Sequence, residues 1–271
     1  MTKTGDDTRS LEITRDVAAS PEAVWQAISQ AEELARWFPL EARVTPGEGG
    51  SIWLSWGPGC EGEAPIRVWE PGRRLSWTEE FPDGSGGVIR LAVDFHVEGR
   101  SGGTVVRLVH SGFGAGAEWD DHYDGVKAGW TYFLLSLAWY LERHPGRPRG
   151  MVWIRRPTEL TRPQVWRRLL GPGGVGRVTS PDAAEAGQPF NLALPGSGAP
   201  GEVVIADRPF TFAATCPGLD DGLLFLEMEG RGEGRWHCGV WLSTWGLPPE
   251  RVAALQVALD AVGDGIFGEV G

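Results

Sequence analysis

Cysteine is scarce in this chain. Cys60, Cys216 and Cys238 are its three cysteines, an odd number at wide spacings and without a Cys-x-x-Cys pair. Neither a disulfide framework nor a structural zinc site is expected from them. Basic side chains are also in deficit: 25 Lys and Arg stand against 36 Asp and Glu, a net charge of −11. A negative field opposes phosphate backbones and anionic lipids, so nucleic acid and membrane surfaces are poor candidate partners. No apolar run of about 18 residues exists to span a bilayer. Met1 to Ser10 is polar and lacks the apolar segment of a signal peptide, so a cytoplasmic protein is expected.

What the chain has in quantity is glycine, 40 residues, and proline, 20, which points to many turns and short strands. It also has 14 tryptophans, nine of them before residue 147. The acid is uneven in the same way. Residues 1–146 carry 13 basic and 22 acidic side chains, a net of −9, and the remainder has a net of −2.

Leu11, Ile13 and Val17 alternate with Glu12, Thr14 and Asp16, the pattern of a half-buried strand. Ser20-Pro21-Glu22 supplies an N-cap, a proline in the first turn and an acid near the helix dipole. Val24, Trp25, Ile28 and Leu34 follow at helical spacing, and the helix breaks near Trp37-Phe38-Pro39. The period then becomes two. Strands are predicted over 41–45, 51–56, 62–69, 73–80, 87–97 and 104–111, separated by turns such as Pro46-Gly47, Pro58-Gly59, Pro71-Gly72, Pro82-Asp83-Gly84 and Gly102-Gly103. Sequential strands with tight turns make an antiparallel sheet with one covered face. The cover is a helix of about 24 residues, on which Trp119, Tyr123, Val126, Trp130, Phe133, Leu134, Leu137 and Leu141 form one apolar stripe. Arg143, His144, Pro145 and Gly146 end it.

Residues 145–150 then read as a linker, and 151–271 as a second, divergent copy of the same order. Its predicted elements are a first strand over 151–155, a short helix from Arg162-Pro163, strands over 201–206, 210–216, 223–229 and 236–244, and a closing helix over 248–267. Gly62-Glu63 to Trp77 resembles Gly201-Glu202 to Phe212, the one residue-level trace of the repeat.

The first half resembles the START-like (SRPBCC) superfamily, in the branch named for homologues of the activator of the heat-shock protein 90 ATPase. The residues that carry the resemblance begin with Ala19-Ser20-Pro21-Glu22-Ala23-Val24-Trp25-Gln26-Ala27-Ile28 and Arg36-Trp37-Phe38. They continue with Val68-Trp69-Glu70-Pro71-Gly72-Arg73-Arg74-Leu75, His110-Ser111-Gly112-Phe113, and Gly129-Trp130 with Leu134, Leu137 and Leu141-Glu142. The resemblance covers about residues 9–145. The second half has no counterpart to His110-Ser111-Gly112-Phe113 or Gly129-Trp130. The fold implied is α+β: tandem helix-grip domains, 1–146 and 151–271, each a curved antiparallel sheet around a long C-terminal helix, the second degenerate. The superfamily includes lipid and hormone carriers, polyketide cyclases and co-chaperone-like members, so it implies no single activity.

Several motifs have plain explanations. Gly171-Pro172-Gly173-Gly174-Val175-Gly176 fits GxGxxG, but it follows a helix outside any βαβ unit and reads as a loop. Asp120, Asp121, His122 and Asp124 read as dipole-matched acid on a solvated helix end rather than metal ligands, and His237-Cys238 reads as packing. No metal and no cofactor is expected. Ser111 adjoins His110, but strand neighbours point to opposite faces, which argues against a nucleophile–base pair.

Parity places His110 and Glu79 on the covered face. A carboxyl or imidazole in an apolar interior must be paired, neutralised or used on a ligand. These two groups are therefore a satisfied structural pair, ligand-orienting groups, or the acid and base of a cyclase-like reaction. With Trp56, Trp77, Phe95, Trp119, Tyr123 and Trp130 they form the candidate site. The expected function is binding of a small hydrophobic or aromatic molecule between sheet and helix, for carriage, sequestration or sensing, with no catalysis. The alternatives are a chaperone-binding or self-associating module and a polyketide cyclase-like enzyme using Glu79 and His110.

Overall fold

The computed structural model describes residues 8–82, 87–229 and 236–268. Strand β1 (Thr8–Val17) buries Leu11 and Val17 as its alternation requires. The Ser20 hydroxyl then accepts the Ala23 N–H and starts α1 (Pro21–Ser29). A second short helix, α2 (Ala31–Leu34), leads into a turn at Trp37, whose indole N–H donates to the Ala27 carbonyl at 2.8 Å. Six strands follow: β2 (Glu41–Thr45), β3 (Ser51–Ser55), β4 (Glu61–Glu70), β5 (Arg74–Pro82), β6 (Val88–Arg100) and β7 (Gly103–Gly114). Helix α3 (Asp120–Arg143) has the predicted 24 residues. All neighbours pair antiparallel, in the order β1-β7-β6-β5-β4-β3-β2. Asp83 and Gly84 of the predicted Pro82-Asp83-Gly84 turn lie outside the described residues.

The second half repeats this plan. Its elements are β8 (Arg149–Thr158), α4 (Arg162–Leu169), β9 (Gly176–Arg177), β10 (Pro189–Leu192), β11 (Gly201–Asp207), β12 (Thr211–Cys216), β13 (Gly222–Glu229), β14 (Trp236–Trp245) and α5 (Pro249–Phe267). The sheet order is β8-β14-β13-β12-β11-β10-β9, the first order with each strand replaced by its counterpart. Thr161 and Gln164 form a capping box on α4, where Ser20 alone caps α1. Both halves are thus helix-grip arrangements in an α+β chain.

The repeat extends to an irregularity. In β4 the pairing with β5 slips between Ile66 and Val68, and in β11 the pairing with β12 slips between Val203 and Ile205. At each slip the inner residue bonds to the turn that leads into the strand on its other side. Ile66 exchanges backbone hydrogen bonds with Gly49 and Gly50, and Val203 with Gly187 and Gln188, all at 2.9–3.0 Å. A bulge kept in the same place in two sequences of little identity is a shaping feature of the sheet.

Three expectations change. The residue match of Gly62-Glu63 and Trp77 with Gly201-Glu202 and Phe212 is out of step: the bulges align Ile66 with Val203, and so Trp77 with Ala214. Strands β9 and β10 stand where the sequence pattern reads as loop, because two and four residues are too short to show alternation. Residues Arg149 and Gly150, in the expected linker, already belong to β8.

Residues group into two compact units, Met1–Tyr123 with Phe133–Gly146, and Asp124–Tyr132 with Arg147–Gly271. In the second unit Leu255, Leu259 and Ile266 of α5 pack with Val152, Ile154, Phe212, Leu224, Val240 and Leu242 in one apolar cluster.

Candidate functional site

Pairing register fixes which side chains share the inner face of the first sheet. Ile66 on β4, Trp77 on β5, Val93 on β6, His110 on β7 and Leu11 on β1 lie in one row across five strands. All five are buried. The adjacent row contains Glu79 on β5 and Leu91 on β6. On β7 it contains Phe113 rather than Gly112. Strict alternation would turn Phe113 outward. Instead Gly112 is a bulge: β1 pairs Ser10 with Ser111 and Arg9 with Phe113, skipping it. Gly112 has φ +101°, and a Cβ there would stand 2.2 Å from the Arg90 carbonyl oxygen. Only glycine meets both conditions. The bulge returns Phe113, fully buried, to the inner face beside His110, with ring centroids 4.8 Å apart.

The predicted site residues fall into three groups. At the centre Trp77 stacks on Phe95 at 5.8 Å, and its indole N–H donates to Oε1 of Glu79 at 3.3 Å. At the start of α3, Phe113 meets Trp119 at 6.3 Å, His122 at 5.8 Å and Tyr123 at 5.4 Å. Arg9 ties this end to β1. It donates to the Gly114 carbonyl and to Asp120, and lies 4.9 Å over the Tyr123 ring, while the Tyr123 hydroxyl donates to the Ser10 carbonyl. The third group is at the other end of the sheet, where Trp56 packs with Phe38 at 5.1 Å and Phe133 at 6.3 Å. Trp130 is buried, in the stretch of α3 that groups with the second unit.

Glu79 and His110 are not neighbours. Glu79 is opposite Leu91 and His110 opposite Val93, so β6 runs between them and their strands stand about 10 Å apart. The partner of Glu79 is the Trp77 indole. Burial pushes the Glu79 carboxyl above its ordinary range, and the indole N–H only partly offsets this. Burial pushes the His110 imidazole down to about 3, with the nearby His122 adding to the shift. Both groups are thus held toward their neutral forms.

Sequence reading missed Phe113, Phe38, Phe133, His122 and Arg9 as members of these groups. The Gly in His110-Ser111-Gly112-Phe113 was the available signal for Phe113. Among the described residues, no cluster of three or more His, Cys, Asp and Glu could hold a metal ion, and no helix is long and apolar enough to cross a membrane.

Counting outward from the two bulges gives each site residue its counterpart in the second unit. Val93 corresponds to Leu224, Leu11 to Val152, His110 to Leu242 and Glu79 to Cys216. Leu242 is fully buried in apolar surroundings. Burial pushes the Cys216 thiol up to about 12, so it stays neutral. The second unit has the same rows without His or Glu at these places.

The sheet order, the short helices after β1 and the closing helix give the first half a helix-grip arrangement. Within that class, residues 18–142 match the family described as Activator of Hsp90 ATPase homolog 1-like protein. Similar solved structures include a protein from Mesorhizobium loti, 26% identical over 50% of this chain and 98% of that one, with a TM-score of 0.45. The Aha1 dimer from Colwellia psychrerythraea is 23% identical over 51% of this chain and 99% of that one, with a TM-score of 0.44. DynU16, from the dynemicin biosynthetic locus, is 18% identical over 93% of this chain and 95% of that one, with a TM-score of 0.41. No curated protein matches the sequence.

Proposed function

We propose that the first unit binds a small hydrophobic or aromatic molecule between its inner sheet face and α3, as a carrier, a sequestering protein or a sensor, without catalysis. One observation carries this reading. His110 and Glu79 occupy inner rows whose counterparts in the second unit are Leu242 and Cys216. Ionisable groups in an apolar interior cost stability. The second unit has the same sheet order without them at these places, so the architecture does not require them. Groups kept at a cost to folding mark a site.

The test is native mass spectrometry of the full chain against lipids and small aromatic compounds. One bound molecule per chain is expected, lost when Glu79 and His110 are both replaced by Leu. A panel with no binder overturns the reading. The family match favours a second reading, a chaperone-activator-like interaction module. Stoichiometric recovery of an Hsp90-type ATPase with the intact chain supports that reading.

A further inference from the structure

We propose that the molecule held by the first unit is an aromatic carboxylate, and that its carboxylate accepts a hydrogen bond from Nη2 of Arg9 at the corner between β1, β7 and the start of α3. This rests on reading the first unit as a ligand site and adds the chemical class and the residue that selects it.

Arg9 belongs to the inner face. It pairs with Phe113, in the row beyond Leu11 and His110. Two of its three nitrogens are used: Nε donates to the Gly114 carbonyl at 3.0 Å and Nη1 to Asp120 at 2.6 Å. Nη2 is closed off from solvent and, among the described residues, meets no acceptor. A buried guanidinium N–H without an acceptor costs stability, so such a group calls for one. The second unit does without it. Counting along β8 from Val152, the counterpart of Leu11, gives Gly150 in place of Arg9, paired with Thr244. There the Thr244 hydroxyl donates to the Gly150 carbonyl at 3.0 Å, and a Cβ on Gly150 would stand 2.9 Å from a methyl carbon of Val252 on α5. That corner is filled and its polar group satisfied, so the sheet order does not require an arginine in this row.

The surroundings set the class. Phe113 is fully buried beside Arg9 and stands edge-on to Trp119 and Tyr123, both half-buried, which gives an aromatic body rings to lie against. The imidazoles of His110 and His122 lie 4.8 and 5.8 Å from the Phe113 ring and bring further N–H groups to the corner. Asp120 is 55% exposed and is held by Nη1, so it compensates the guanidinium on the solvent side only. An ammonium group would meet the charge of Arg9. A neutral ketone would accept from Nη2, but charge-assisted bonds between guanidinium and carboxylate are about twice as strong.

Equilibrium dialysis of the full chain against 2-naphthoate, 2-acetonaphthone, 2-naphthylmethylamine and naphthalene tests this. Naphthoate is expected to bind at least about tenfold more tightly than the other three. Arg9→Met keeps the stem and removes the donors, and should bring naphthoate down to the level of naphthalene. Asp120→Asn breaks the ion pair but leaves Nη2 in place, so naphthoate should bind at least as tightly as to the wild type. Naphthalene affinity and near-ultraviolet circular dichroism report whether each variant is folded. A preference for naphthoate that survives Arg9→Met, or an equal loss in Asp120→Asn, overturns the role of Arg9. The ketone, the amine or naphthalene binding as tightly as naphthoate overturns the anionic class and leaves the ligand site standing. If none of the four binds while the wider panel of lipids and aromatic compounds yields a binder, this inference alone falls; if neither set binds, the ligand-site reading falls with it.

Discussion

At the scale of single residues, His110 and Glu79 should give the protein two opposed pH dependences. The His110 imidazole titrates near 3 when folded and near 6.5 when unfolded. Below 6.5 the unfolded chain takes up a proton that the folded chain refuses. Stability is therefore full above 6.5 and is lost as pH falls toward 3, by up to about 1.4 kcal/mol per pH unit. Glu79 acts in the other direction. Its folded carboxyl keeps a proton that the unfolded chain releases above about 4.5. Its contribution is full below that value and is lost as pH rises through the folded pKa. Urea unfolding between pH 4 and pH 8 separates the two. His110→Gln should flatten the acid limb, and Glu79→Gln should raise stability at the neutral end while changing little at pH 4. Curves parallel to the wild type would show that neither the buried His110 nor the half-buried Glu79 is desolvated as described.

Among the elements, β7 depends most on one local feature. Gly112→Ala must hold φ near +101° and force a methyl group against the Arg90 carbonyl. The strain alone costs about 1–3 kcal/mol. Gly47 provides a control, since it has φ +105° and a Cβ added there would meet no atom within 4 Å. Gly47→Ala should therefore lose only the strain. Gly112→Ala should lose more and should also release Phe113 from His110. Urea midpoints for the two variants, with near-ultraviolet circular dichroism to follow the aromatic cluster, measure the difference. Equal losses would mean the bulge can relax without cost. The same strand shows how far the sequence could be read. Period-two alternation placed His110, Leu108 and Val106 inward, because one face of β7 is buried along its length. It could not place Phe113, since a bulge resets parity and shows only as a glycine. Nor could it separate Glu79 from His110. Both have inward parity, but the distance between them depends on strand order, which non-local pairing decides.

At the scale of the whole molecule, each unit repeats one strand order with its own set of inner side chains. The register that matches His110 with Leu242 allows a reciprocal exchange. Leu242→His would place an imidazole in a fully buried apolar cluster with Val152, Leu224 and Val240 around it. Desolvation and lost packing should destabilise that variant by about 2–4 kcal/mol. His110→Leu does the reverse. It removes a polar group from an apolar face and restores the row found in the second unit, so stability should hold or rise at pH 7 and below, while ligand binding weakens. Urea midpoints of both variants, beside native mass spectrometry against lipids and small aromatic compounds, decide the matter. A loss of stability in His110→Leu equal to that in Leu242→His would make His110 a structural member of its core. A gain in stability coupled to lost binding is what a site held against the preference of the fold should produce.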